Sequence, residues 1–126
     1  MAVVLLVEDD DHVRVLVESY LEELGHKVLS AVTRQGAMAL LEETPHVDLL
    51  FTDMELMGDV QAGIELARQA AERWRHLKVL YTTGRGLTEG MRARLVRRSA
   101  LLEKPYTVDQ LRTSLSDHFK ISAQPG

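Results

Sequence analysis

The sequence contains no cysteine, which removes disulfides, thiolate metal sites and cysteine nucleophiles from consideration. It has no apolar run approaching the roughly 20 residues that span a bilayer. Met1–Asp11 carries neither the basic start nor the cleavage pattern of a signal peptide. The expected setting is therefore cytoplasmic, with no membrane partner. Basic residues are not in excess: 19 acids against 15 lysines and arginines leave a net charge of −4. That balance disfavours non-specific binding of nucleic acid over the whole surface. Linkers, repeats and low-complexity segments are missing too, and 126 residues suit one domain with one core.

What is present is a hydrophobic period that switches repeatedly between strand-like runs and helical spacing. Val3–Val7 reads as a first strand. Val13, Leu16, Val17, Tyr20, Leu21 and Leu24 mark a first helical face, which Gly25 stops in the manner of a C-terminal cap. Val28–Val32 is a second strand, and Ala37, Leu40 and Leu41 line a helix that ends before Pro45. Asp48–Thr52 is the third strand, followed by a helix marked by Ile64, Ala67, Ala70, Ala71 and Trp74. Lys78–Tyr81 is the fourth, followed by a less regular helix with Met91, Leu95 and Val96. Ala100–Leu102 and a helix with Val108, Leu111, Leu115 and Phe119 complete five strand–helix units, leaving Ile121–Gly126 as a frayed tail. Such alternation implies a doubly wound α/β sheet with helices on both faces and a ligand site outside the C-terminal strand ends.

Charged residues stand where that edge is expected. Glu8 and Asp9 follow the first strand, Asp53 the third and Lys104 the fifth. A parallel sheet would bring them together, and the combination suits phosphate and metal chemistry. Two acids can hold a hard cation, a third can act as nucleophile, and the lysine can pair with the product's charge.

Four segments carry a family resemblance: Val4-Leu-Leu-Val-Glu8-Asp9-Asp10, Asp48-Leu-Leu-Phe-Thr-Asp53, Val79-Leu-Tyr-Thr82-Thr83-Gly84 and Leu102-Glu-Lys104-Pro105-Tyr106. In that order they resemble the receiver domain of two-component response regulators, over residues 1–120. The resemblance implies a flavodoxin-like, five-stranded parallel sheet of order 2-1-3-4-5 with five helices. It implies that Asp53 accepts a phosphoryl group from a sensor histidine kinase or a histidine phosphotransfer protein. Glu8, Asp9, Asp53 and the backbone carbonyl of Glu55 would hold Mg2+. Thr82 would supply the hydroxyl that moves toward the phosphoryl group, and Lys104, before a cis proline bond, would pair with it. Output would be contact with a downstream protein, and the domain would catalyse only its own phosphoryl transfer and dephosphorylation.

Three departures from the family pattern stand out. The loop Asp53-Met-Glu-Leu-Met-Gly-Asp-Val-Gln-Ala-Gly63 has no proline and is slightly long; Leu101 takes the place of the usual aromatic switch residue; and Thr83 stands where a smaller residue is common. With Leu101 there, the expected mover is the loop Thr83–Thr88 together with the fourth helix.

Other residues have plainer readings. Asp10 and Asp11 are expected to cap the first helix, Trp74 to end the third, and His12, His26, His46, His76 and His118 to sit at the surface or in caps. Arg85, Arg92, Arg94, Arg97 and Arg98 form a basic cluster in and before the fourth helix, read as a solvated face with Glu89 or as a docking surface for a protein. Direct nucleic-acid binding ranks below both, since no aromatic residues interleave with the arginines. Two other function classes remain open: a metal-dependent phosphohydrolase with Asp53 as nucleophile, and an interaction module that is not phosphorylated.

Overall fold

Five short apolar segments pair into one parallel sheet in the order β2-β1-β3-β4-β5. A computed structural model describes residues 1–84 and 86–119. The expected tail at 121–126, Arg85 and the side chain of His118 lie outside the described residues. The elements alternate along the chain: β1 (Val3–Val7), α1 (Asp11–Glu23), β2 (Lys27–Ala31), α2 (Arg34–Glu43), β3 (Leu49–Asp53), α3 (Ala62–Arg73), β4 (Lys78–Thr83), α4 (Glu89–Ala93), β5 (Ser99–Glu103) and α5 (Val108–Phe119). This is the doubly wound, flavodoxin-like architecture that the alternation implied. No described helix is long and apolar enough to cross a membrane.

The strand interiors explain the arrangement. β3 is buried along its whole length and β4 nearly so, as expected for parallel strands covered on both faces. Alternate side chains enter two cores. On one face Leu5, Leu50, Val79 and Tyr81 meet Ala37, Leu41, Ile64, Leu66 and Ala67 of α2 and α3, with Met91 of α4 packed alongside. On the other, Val4, Leu6, Phe51 and Leu80 meet Val17, Leu21, Leu111, Leu115 and Phe119 of α1 and α5. The single core expected from chain length is thus two half-cores divided by the sheet.

Local signals act where they should. Asp10 caps α1 by accepting from the N–H groups of His12 and Val13. Gly25, at φ 91°, ends that helix: its N–H donates to Glu22 O, and that of His26 to Leu21 O, the paired bonds of a Schellman motif. Trp74 ends α3, with the Arg73 guanidinium 4.8 Å from its ring centre.

Several expectations need correction. Leu16 lies on the solvent side of α1, 61% exposed, because the apolar stripe is narrower than the periodicity suggested. His26 is buried, its Nδ1 accepting from the N–H of Ala2, because the Schellman turn folds it under β1. Burial, with the nearby amino terminus, holds its pKa below the ordinary histidine range. α4 is a short helix that ends at Ala93, so Leu95 and Val96 pack on the core from the following turn. The arginines around it do not share one face. Arg94 crosses to Glu65 and Gln61 beside α3, while Arg97 and Arg98 border concavities at the opposite end of the sheet, beside Lys78.

The start of α3 is tied to the end of β3. The Gly63 N–H donates to Met54 O at 2.9 Å, and a Cβ on Gly63 would lie 2.1 Å from the Asp53 carbonyl oxygen and 2.8 Å from Met54 Cα. No rotamer relieves a clash with backbone. Gly63→Ala should therefore destabilise the fold by about 2 kcal/mol or more. Urea denaturation checks this, and wild-type stability would show that α3 can withdraw freely from β3.

Candidate functional site

Strand register brings the charged residues together. Val7 pairs with Thr52 between β1 and β3, and Asp53 with Thr82 between β3 and β4, so the residues that follow β1 and end β3 emerge side by side. β4 sets the height of the lysine, since the Lys104 N–H donates to Thr83 O at 2.8 Å. The Lys104–Pro105 bond is cis. From there the Lys104 ammonium donates to Asp53 Oδ2 at 2.6 Å and to Glu8 Oε1 at 2.7 Å.

The remaining oxygens are also positioned. Glu8 Oε2 accepts from the Asp10 N–H at 3.1 Å, and Asp53 Oδ1 from the Glu55 N–H at 3.2 Å. Asp9 Oδ2 accepts from the Met57 N–H at 3.0 Å. Carboxylate oxygens of Glu8, Asp9 and Asp53 all lie within 4.8 Å of one another. Glu8 and Asp53 are buried, and Lys104 retains only partial contact with water.

The electrostatics follow from that packing. Burial raises the Glu8 pKa, against the opposing hydrogen bond from Lys104. Burial alone would lower the lysine's pKa, but its hydrogen bonds to Asp53 and Glu8 prevail and hold the ammonium well above the ordinary lysine range. Tyr106, close by, is pushed up to about 12 by burial and then by the charge of Glu8. Three carboxylates and one ammonium leave two negative charges in a half-dry pocket. An all-oxygen donor set with that surplus fits a hard divalent cation such as Mg2+.

The two threonines are divided by strand alternation. Val79 and Tyr81 enter the α2/α3 half-core and Leu80 the other, so Thr83 shares the face of Tyr81 and Thr82 that of Leu80. Thr82 is 1% exposed and lies across from Asp53 in the register. Thr83 borders a cavity of about 200 Å³ together with Met54, Glu55, Val60, Gly84, Gly86 and Met91. β4 runs two residues beyond the expected Tyr81, which brings Thr83 into the strand and out of the expected loop.

Leu101 pairs with Tyr81 in the β4/β5 register. An aromatic ring thus stands next to the leucine, but it is wholly buried, and its hydroxyl accepts from the Val96 N–H at 3.1 Å.

The loop after Asp53, though it has no proline, is closed by a turn. Leu56 and Asp59 exchange backbone hydrogen bonds of 3.1 and 3.0 Å around Met57 (φ 52°) and Gly58 (φ 83°), a two-residue hairpin turn. Sequence reasoning missed this because Met-Gly is a weak signal for a turn that favours Asn-Gly. Gly63 was equally hard to find: a lone glycine before a helical pattern does not disclose what lies against it.

Comparison with known proteins agrees with this geometry. The family model described as the response regulator receiver domain matches residues 4–116. The virulence sensor protein BvgS of Bordetella pertussis is 32% identical over 130 aligned positions, covering 97% of this chain and 10% of BvgS. The response regulator receiver protein CpdR of Brucella abortus is 38% identical over 81 positions, covering 64% of this chain and 65% of CpdR. The chain thus spans a small part of the first relative and somewhat under two thirds of the second. Among solved structures, a response regulator receiver protein from Sinorhizobium medicae superposes with a TM-score of 0.82 at 26% identity, over 94% of each chain. The chain belongs to the response regulator receiver domains, the phosphoacceptor modules of two-component signalling.

Proposed function

We propose that Asp53 is the phosphoacceptor and takes its phosphoryl group from a phosphohistidine on a sensor kinase or phosphotransfer protein. The observation that carries this reading is the Lys104 ammonium, held at 2.6 Å from Asp53 Oδ2 at the end of β3. Attack by an Asp53 oxygen forms an O–P bond as the P–N bond to the imidazole breaks; the imidazole nitrogen keeps that bond's electron pair and takes up a proton, and the phosphoryl group brings its own negative charge onto the esterified carboxyl. Lys104 then pairs with that group. Its raised pKa makes it a fixed positive charge and not a proton donor.

Glu8, Asp9, Asp53 and the backbone carbonyl of Glu55 are the proposed ligands of Mg2+. Bound there, the ion supplies positive charge to the phosphoryl oxygens, which a carboxylate must approach against repulsion. The domain acts only on itself, and its output is contact with a downstream protein.

For the hydroxyl that meets the phosphoryl group we favour Thr83 over Thr82. Thr83 lies on the cavity side, next to Glu55 and Gly84, and on the face that α3 and α4 cover. The small residue common after the hydroxyl is then Gly84. With Leu101 paired to a fixed Tyr81, the segment free to respond is Gly86–Val96, which includes α4, none of whose residues is fully buried.

Three outcomes are expected. Acetyl phosphate with magnesium should add a single hydroxylamine-labile phosphoryl group by intact mass, and Asp53→Asn should abolish it; modification surviving in that variant would move the acceptor elsewhere. Thr83→Ala should accept phosphate yet lose the beryllofluoride-induced change in hydrogen exchange over Gly86–Val96, while Thr82→Ala should keep it. The reverse result would restore Thr82.

The third concerns pH. The Glu8 pKa is raised above 4.5, so its ionisation costs stability at neutral pH, and the cost is relieved as pH falls through the raised value. Lys104, raised in the folded state, contributes stability below 10.5 that is lost only as pH climbs beyond it. Lys104→Met should then cost about 2 kcal/mol near neutral pH, less than a fully buried pair because the ammonium keeps some water. The deficit should shrink in mildly acidic solution, as pH falls through the raised Glu8 value and that carboxyl takes up its proton. Urea titrations under both conditions test this, and a deficit that ignores pH would show that Lys104 acts by packing alone.

A further inference from the structure

The hairpin after β3 has a feature that its own stability does not require. Met57 occupies the left-handed region at φ 52°, where a side chain other than Gly, Asn or Asp is disfavoured, and its N–H leaves the hairpin to meet Asp9, 48 residues earlier. Both ends of the hairpin are anchored. Leu56 is buried at 2% exposure in the α2/α3 half-core. Asp59 leads into α3, its carbonyl accepting from Ala62 and its Oδ1 from the Gln61 N–H. The tip is therefore a braced element aimed at one carboxylate of the acid cluster.

We infer that the Leu56–Asp59 hairpin is a positioning device for the cation site. The Met57 N–H holds one oxygen of Asp9, fixes the plane of its carboxylate, and leaves the other oxygen for the ion. This rests on the reading that Glu8, Asp9 and Asp53 bind Mg2+. Glu8 is oriented by the Asp10 N–H and Asp53 by the Glu55 N–H, so Met57 completes a set in which each acid is held by one backbone donor. Holding a ligand in place from the layer behind it is a general way of raising metal affinity. Linkage makes the effect reciprocal: an ion that prefers the oriented Asp9 must also favour the closed hairpin.

Gly58 offers a clean perturbation. At φ 83° a β-branched residue is strained, yet a Cβ there would meet nothing within 4 Å, so the fold has no steric reason to fail. Backbone amide shifts in a magnesium titration give the affinity, and hydrogen exchange at Met57 gives hairpin closure. In the wild type, magnesium should slow exchange at Met57. Gly58→Val should weaken magnesium binding by roughly tenfold and speed that exchange. Gly58→Asn, which accepts the left-handed conformation, should keep the wild-type affinity. Equal affinity in all three proteins, or no effect of magnesium on the Met57 amide, would overturn the inference while leaving the cation site intact. If the wild type shows no magnesium-dependent shifts at Glu8, Asp9 and Asp53, the cation reading itself fails and this inference with it.

Discussion

The ammonium of Lys104 between Glu8 and Asp53 is the interaction on which the site depends. It joins residues 96 and 51 positions apart, so it exists only when β1, β3 and β5 are ordered in one sheet and in register. Two carboxylates sunk into the sheet edge would otherwise repel and lose their water, and burial already raises the Glu8 pKa. One lysine offsets part of this. The charge that remains uncompensated makes the site attractive to a cation and to chemistry that adds an anionic group beside one. A fully neutralised cluster would be more stable and have less reason to react.

The backbone around Asp53 is crowded in a way that serves the same end. Gly63 sits against the Asp53 carbonyl, Met54 donates to Thr82 O, and Thr52 Oγ1 donates to the Asp53 carbonyl. These contacts pin the main chain of Asp53 and leave its side chain to Lys104 and the Glu55 N–H. The loop that follows closes into a hairpin directed back at Asp9.

The sheet divides the core into two sides that carry different features. The α1/α5 side packs Val17, Leu21, Leu111, Leu115 and Phe119 against the strands that carry the acids. The other side carries the cavity at Thr83 and the short α4, with Met91, Leu95 and Val96 only partly buried. On that same side Tyr81, buried in the sheet, accepts through its hydroxyl from the Val96 N–H in the turn after α4. Arg94 adds a polar link to Glu65 and Gln61 on the α3 side. A charge change at Asp53 can bias this arrangement only through contacts that differ between two states, and the weakly buried α4 side has the most to gain or lose.

Much was legible in the sequence because it is local or periodic. Alternating apolar runs gave the five strand–helix units, Gly25 and Asp10 marked the ends of α1, and the order of acids and lysine after β1, β3 and β5 gave the family. Other features depended on what lies across space. Whether Thr82 or Thr83 faces the α3/α4 side is a matter of strand parity, and the expected end of β4 at Tyr81 left both threonines outside the strand, where alternation says nothing of them. Burial of His26 followed from a turn that folds it beneath β1, and the scattering of the arginines from α4 being shorter than its apolar pattern. By itself the sequence determined the elements, their order and the chemical character of the sheet edge, because hydrophobic period and residue type are properties of the chain. Only the tertiary structure decided which atoms meet there: a hydrogen bond from Met57 to Asp9, or a backbone against Gly63, is fixed by packing between segments that carry no mark of each other.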